Sequence, residues 1–400
     1  MASASRVQVS RASVHPPMAS VHMDALRGLA ALAVFLGHWR NISFVDYSSL
    51  VHPSLLLRVF YLLTSLGHQS VIVFFVLSGY LVGGSAVRNF SSGWRWSPYL
   101  LNRFSRLWIV LFPALAFGCF WDMLGSRVFS RSFLYLGQGQ TVIQWHIPDR
   151  VSWPIAAGNF FFLQNIRVPT FGSNGPLWSL ANEFWYYILF PALLLIASRR
   201  TAFYARAGYA LLAAFLLWFI GYGIDVLFPV WLMGAALAYA PEWKSASRFR
   251  VNLLIGVSAI AAFAVASAGR VGQRYPLLCD LALGVACTVL LWALLQARQE
   301  ARPSLYRKAS HFLASMSYTL YLVHLPLLLF LVSMIHPDQR WQPDRAGLPL
   351  LAAVAVFLYS VLLYFCFERN TGVLRGFLSK LLDLCHSSLR GMRRRASSVH

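Results

Sequence analysis

An arginine and a histidine, Arg27 and His38, stand inside the apolar run from Asp24 to Asn41. Eleven helical steps of about 100° return to within about 20° of the starting direction, so the two side chains share one face about 16 Å apart. An imidazole can take a proton as general base or act as a nucleophile, and a guanidinium holds anions. Asp24 lies three residues before Arg27 on the same face and is placed to pair with it. Arg27 alone also fits a snorkelling arginine that sets orientation. His38 falls about 20 Å into a hydrocarbon core of about 30 Å, where an imidazole needs a partner, catalytic or structural.

Three further groupings carry polar chemistry. Arg103 and Arg106 are one helical turn apart beside a membrane surface, a spacing that suits phosphate oxygens, although basic residues are common there. Ser179 and Glu183 form an i, i+4 pair at the start of an apolar run that also holds Trp178 and Asn182. They predict a site for a hydroxylated acceptor, with a helix-to-helix hydrogen bond as the structural alternative. Ser317, Tyr321 and His324 recur at i, i+4 and i+7, one stripe ending near mid-membrane at the depth of His38. Asn41 or His324 could orient the His38 ring or stabilise an oxyanion. Phe74 to Tyr80, with Gly83 and Gly84 beyond, reads as close helix packing, Ser78 being a minor candidate for contact.

The elements that position these residues are membrane spans. The chain is 58% hydrophobic and only 12% charged, which points to an all-α polytopic membrane protein. Ten apolar runs, near 25–44, 67–87, 106–124, 176–197, 202–221, 223–240, 251–269, 276–297, 312–335 and 347–368, approach the length of a spanning helix. Lys and Arg concentrate in the segments on the side of the amino terminus, which predicts both termini in the cytoplasm. The formal net charge of +21 is thereby read as orientation signal and attraction to anionic lipid, with no nucleic-acid partner. The expected organisation is a cytoplasmic segment 1–24, a membrane domain 25–369 and a basic cytoplasmic tail 370–400 ending in Arg393, Arg394 and Arg395. Residues 1–22 lack the apolar stretch of a cleavable signal, so the first span is expected to direct insertion. Cys119, Cys279, Cys287, Cys366 and Cys385 show no metal-ligand spacing, and no metal is expected. The longest connection, 125–175, holds Trp145, His146, Trp153 and the short apolar piece Ile155 to Leu163. Its aromatics suit an interfacial belt or stacking on a sugar.

Five fragments in order resemble the acyltransferase 3 family of integral membrane transferases: the opening from Asp24 through Arg27 to His38, Phe74 to Tyr80, Arg103 with Arg106, Leu177 to Glu183, and Ser317 to His324. The resemblance covers about Asp24 to Glu368. It implies a ten-helix domain that moves an acyl group, most often acetyl, from cytoplasmic acyl-CoA to a hydroxyl of an extracytoplasmic carbohydrate or glycoconjugate. It further implies that Arg27 and His38 are essential, that Arg103 and Arg106 bind the coenzyme, and that Ser179 and Glu183 matter to function. The expected setting is a bacterial inner membrane. The family often carries a proline two residues past its terminal glutamate, whereas Glu368-Arg369-Asn370 lacks it. Some members append an extracytoplasmic hydrolase-like domain; nothing after residue 370 is long enough, so either the membrane cavity or a partner protein is expected to complete transfer.

On this reading the catalytic set is His38, Arg27 and Glu183, with Arg103, Arg106 and Arg27 on the coenzyme. Trp178, Ser179, Asn182, Ser317, Tyr321, His324 and Asn41 line the cavity or hold the acceptor. A transporter or flippase of a glycan precursor would use the same buried polar residues as a relay, without consuming coenzyme. A third reading is a sensor or assembly module without activity. Thioester exchange needs no ATP site, and no Gly-rich phosphate loop is present in the sequence.

Overall fold

The computed structural model describes residues 17–381 apart from 92, 140–141, 241–242, 244–246, 272–274 and 298–304. The signal and tail expectations for Arg393 to Arg395, Cys385 and most of 1–22 lie outside the described residues. In chain order the helices are α1 (Pro17–Ser43), α2 (Leu55–Leu63), α3 (Gly67–Ser78), α4 (Gly84–Ser91), α5 (Trp96–Val128), α6 (Trp153–Phe160) and α7 (Leu177–Ala197). They continue with α8 (Phe203–Ile220), α9 (Tyr222–Asp225), α10 (Phe228–Ala236), α11 (Arg248–Val271), α12 (Pro276–Leu295), α13 (Leu305–Ile335) and α14 (Gly347–Cys366). Among the described residues there is no sheet, only isolated bridges such as Phe44 with Trp341.

Nine helical stretches among the described residues are long and apolar enough to cross a bilayer, so the protein is an all-α polytopic membrane protein. The tenth expected span, α1, is not one of them. At 27 residues it is long enough, but Arg27, His38, Arg40 and Asn41 dilute its apolar character. Its place is the middle of the bundle against α13. Gly28 permits that approach, since a Cβ there would lie 2.6 Å from the Leu313 Cβ. Facing lipid instead are helices such as α8, α11 and α14, whose Trp218, Ile260 and Leu362 are exposed.

Several boundaries differ from the apolar runs. Helix α5 extends over 33 residues, so Arg103 and Arg106 sit within it rather than in a preceding loop. The expected span 223–240 is broken between α9 and α10. Pro229, near the start of α10, has no N–H for the Asp225 carbonyl, so the break falls where that hydrogen bond is missing. The span expected at 67–87 consists of α3, a π-helical turn at Gly79–Gly83 and α4. A Cβ on Gly79 would collide with the Trp231 carbonyl oxygen, and one on Gly234 would collide with the Val76 oxygen. The two glycines thus let the backbones of α3 and α10 touch, and Trp231 Nε1 donates to Ser78 Oγ at 3.2 Å across that contact.

The candidate active site

Three cavities succeed one another through the bundle. At the end where α1 begins, a basic cavity of about 560 Å³ is lined by Arg27, Arg103, Arg106, Glu368, Arg369 and Arg375 among others. A middle chamber of about 120 Å³ shares Arg27, Arg103 and Arg106 with it and adds Ser78, Ser179, Glu183, Tyr187, Ser317, Tyr318 and Tyr321. A distal cavity of about 460 Å³ shares Val71 and Tyr321 with the middle chamber and is lined by His38, His68, Trp145, Arg150, Thr170 and Trp178. Tyr321, with Val71, stands between the last two. Its hydroxyl and that of Ser179 are hydrogen-bonded at 2.8 Å, and its ring meets Phe74 edge-on.

His38 and His324 do meet. His38 Nδ1 is 2.7 Å from His324 Nε2, and His324 Nδ1 is 2.8 Å from the Leu320 carbonyl oxygen. A carbonyl only accepts, so His324 Nδ1 carries a hydrogen; in a neutral ring its Nε2 is then an acceptor. His38 Nδ1–H must therefore be the donor, which leaves the lone pair of His38 Nε2 free, and His38 lines the distal cavity. His324 itself is completely buried and does not line the cavity, and its Nε2 contact there is to His38.

Arg27 is positioned by α13. Its Nε and Nη2 donate to the Ala314 carbonyl at 3.2 and 2.6 Å, where Ser317 Oγ also donates at 2.8 Å. The expected pairing with Asp24 is replaced by this bond, and Asp24 Oδ2 lies 3.4 Å from His311 Nδ1. The Gly28 contact brings α13 so close that its backbone is the nearer partner. Arg103 Nη2 donates to Ser85 Oγ at 2.8 Å and its guanidinium lies over the Tyr99 ring, while Arg106 is exposed to both cavities it lines.

Helix α7 divides its polar residues by face. Trp178 lines the distal cavity, whereas Ser179 and Glu183 line the middle chamber beside the arginines. This pair is on the same side of Tyr321 as Arg103 and Arg106. Asn182 points elsewhere, fully buried, with Nδ2 donating to Tyr186 Oη at 3.2 Å and to the Ile224 carbonyl at 3.4 Å. At about 100° per residue it cannot share the face of Glu183. Asn41 also lies off the cavities, its carbonyl accepting from Arg340, which pairs with Asp46.

Several residues of the site were not marked by sequence spacing. Arg150 stacks over Trp145 at 3.9 Å and donates to Thr170 Oγ1 at 3.1 Å, bringing the long connection into the distal cavity. Trp153 stays exposed at the start of α6, which at eight residues is too short to cross. Asp122, a buried carboxylate within α5, accepts the Ser173 backbone N–H at 2.7 Å. Gly172 beside it has φ +55°, and a Cβ there would collide with the Asp122 carboxylate. Asp122 therefore fixes the 172–175 turn beneath the distal cavity, and its carboxylate in an apolar run was the signal that could have found it. Glu368 Oε2 accepts from Thr319 N at 3.0 Å and Thr319 Oγ1 at 2.6 Å, tying the end of α14 to α13.

Comparison with protein families matches residues 21–369 to the acyltransferase domain family. Neither the curated proteins nor the solved structures include a match to the chain.

Proposed function

The chain belongs to this acyltransferase family and is a membrane acyltransferase; from that premise we propose that it transfers an acyl group, acetyl foremost, from cytoplasmic acyl-CoA to a hydroxyl of an extracytoplasmic carbohydrate or glycoconjugate. The observation that carries this reading is the serial order of the cavities: arginines first, then a narrow chamber, then a basic imidazole. Arg103 and Arg106 hold the coenzyme diphosphate with charge-assisted hydrogen bonds, and the pantetheine arm passes Arg27 into the middle chamber. Glu183, Tyr187 and Ser317 face that arm, so Glu183 serves the donor side and does not act beside His38. The acyl group crosses at Tyr321.

At the distal cavity His38 Nε2 has two ways to act. As a base it takes the proton of the acceptor hydroxyl, whose oxygen attacks the thioester carbonyl; the C–O bond forms, the C–S bond breaks, and the proton leaves with the sulfur as free thiol. As a nucleophile it first forms an acyl-imidazole with release of the thiol, then passes the acyl group to the hydroxyl. Either route leaves one ester and one thiol per thioester. The Arg150–Trp145 stack and Trp178 give the acceptor a wall of aromatic and guanidinium faces, which suits a sugar ring. The matching cell context is a bacterial inner membrane with the arginine cavity facing the cytoplasm.

Purified protein given acetyl-CoA is expected to release free thiol in proportion to added acceptor, measured with a thiol reagent. Mass spectrometry of surface glycans from deletion and complemented strains would show the acceptor gaining an acetyl mass only with the wild-type chain. Movement of a glycan precursor with no thiol release and no acyl mass would overturn the transferase reading in favour of transport.

A further inference from the structure

The basic cavity has two kinds of arginine. Arg27, Arg103 and Arg106 also line the middle chamber, whereas Arg369 and Arg375 line only the basic cavity. Coenzyme A is linear: from the thioester outward come the pantetheine arm, the diphosphate, and then the ribose 3′-phosphate. With the pantetheine arm in the middle chamber and the thioester at the Tyr321 crossing, the shared arginines meet the diphosphate, and Arg369 and Arg375 meet the phosphorylated ribose beyond it. We propose that Arg375, with Arg369, forms a phosphomonoester subsite that recognises the 3′-phosphate of the coenzyme and so selects coenzyme A over its dephospho form. The inference rests on the coenzyme reading given above.

Three observations support the assignment. Arg375 Nη1 donates to Asn102 Oδ1 at 3.1 Å, which holds the helical residues 371–381 against the start of α5, next to Arg103. That bond uses one N–H of a side chain that is otherwise exposed, so the other N–H groups of the guanidinium remain accessible. Among the described residues Glu368 is the one carboxylate in the cavity lining, and it already accepts two hydrogen bonds from Thr319 through Oε2, so it is engaged with α13. Arg375 also lies past the 21–369 stretch that matches the family, whereas Arg369 is its last residue.

The test is binding of coenzyme A and of dephospho-coenzyme A to the full chain in phosphatidylcholine nanodiscs, measured by calorimetry for wild type, Arg375→Ala and Arg369→Ala. Wild type is expected to prefer coenzyme A by about tenfold or more, as a charge-assisted contact would give. Arg375→Ala is expected to bring that preference close to unity by weakening the coenzyme A arm, and Arg375→Lys to restore part of it. Equal affinity of wild type for both ligands would overturn the proposal, as would an Arg375→Ala protein that loses both affinities equally. A preference abolished in wild type by adding phosphatidylglycerol to the nanodisc would show that Arg375 engages lipid phosphate instead, and would overturn it too. Failure of wild type to bind either ligand would instead strike the coenzyme reading itself.

Discussion

Replacing His38 by alanine is expected to lower acyl transfer about a thousandfold or more while coenzyme binding persists. The reason is atomic: the chain Leu320 carbonyl, His324 and His38 fixes which nitrogen of His38 is bare, whereas His68, the other imidazole lining that cavity, is held by Asp280. The same chain predicts the behaviour of His324, which touches His38 and not the cavity. His324→Ala removes the acceptor for His38 Nδ1–H, so the ring can rotate or change tautomer, and kcat is expected to fall about 10- to 100-fold with little change in donor KM. His324→Gln places a carbonyl oxygen where it can accept that N–H and is expected to recover part of the loss. Stopped-flow thiol release in the presence of acceptor would read both effects. A His38→Ala enzyme with near wild-type turnover would remove the imidazole from the mechanism, and a His324→Gln enzyme no better than His324→Ala would reduce His324 to packing.

The second large effect is expected at Arg27, which lines both the basic cavity and the middle chamber. Its two bonds to the Ala314 carbonyl fix the guanidinium in place, so its remaining N–H groups meet the donor without further ordering. Arg27→Ala is expected to lower kcat/KM for acetyl-CoA about 10- to 100-fold, the size of a lost charge-assisted hydrogen bond. Arg27→Lys keeps the charge but lacks the planar fork needed to hold Ala314 and a ligand at once, so recovery should be incomplete. If the arginine only set the orientation of α1, the alanine variant would show altered topology by cysteine labelling, while correctly inserted molecules would keep wild-type kinetics.

Much of this arrangement was legible from residue types and spacing, because apolar length sets the spans and polar residues within them are rare. Arg27, Arg103 and Arg106 do share a cavity, and His38 and His324 do pair. What spacing could not supply was the third dimension. Arg27 and His38 share a face of α1, yet the Tyr321 partition puts them on different cavities. Ser179 and Trp178 are neighbours in the chain and lie on opposite sides of that partition, and Asn182 turns away altogether. Arg150 and Asp122 act through contacts with residues far away in the chain or across a turn, which no periodicity encodes. Even the count of spans turned on chemistry: the helix that carries Arg27 and His38 is the least hydrocarbon-like of the ten expected because it carries them.

The central claim is directional, and sidedness tests it most directly. Protein reconstituted in vesicles of known orientation would receive acetyl-CoA on one side and acceptor on the other. Thiol release is expected only when the donor is on the side of Arg103 and Arg106, with acylated acceptor appearing on the side of Trp145 and His38. Donor consumed from the Trp145 side, or product formed on the same side as the donor, would contradict transfer through the bundle.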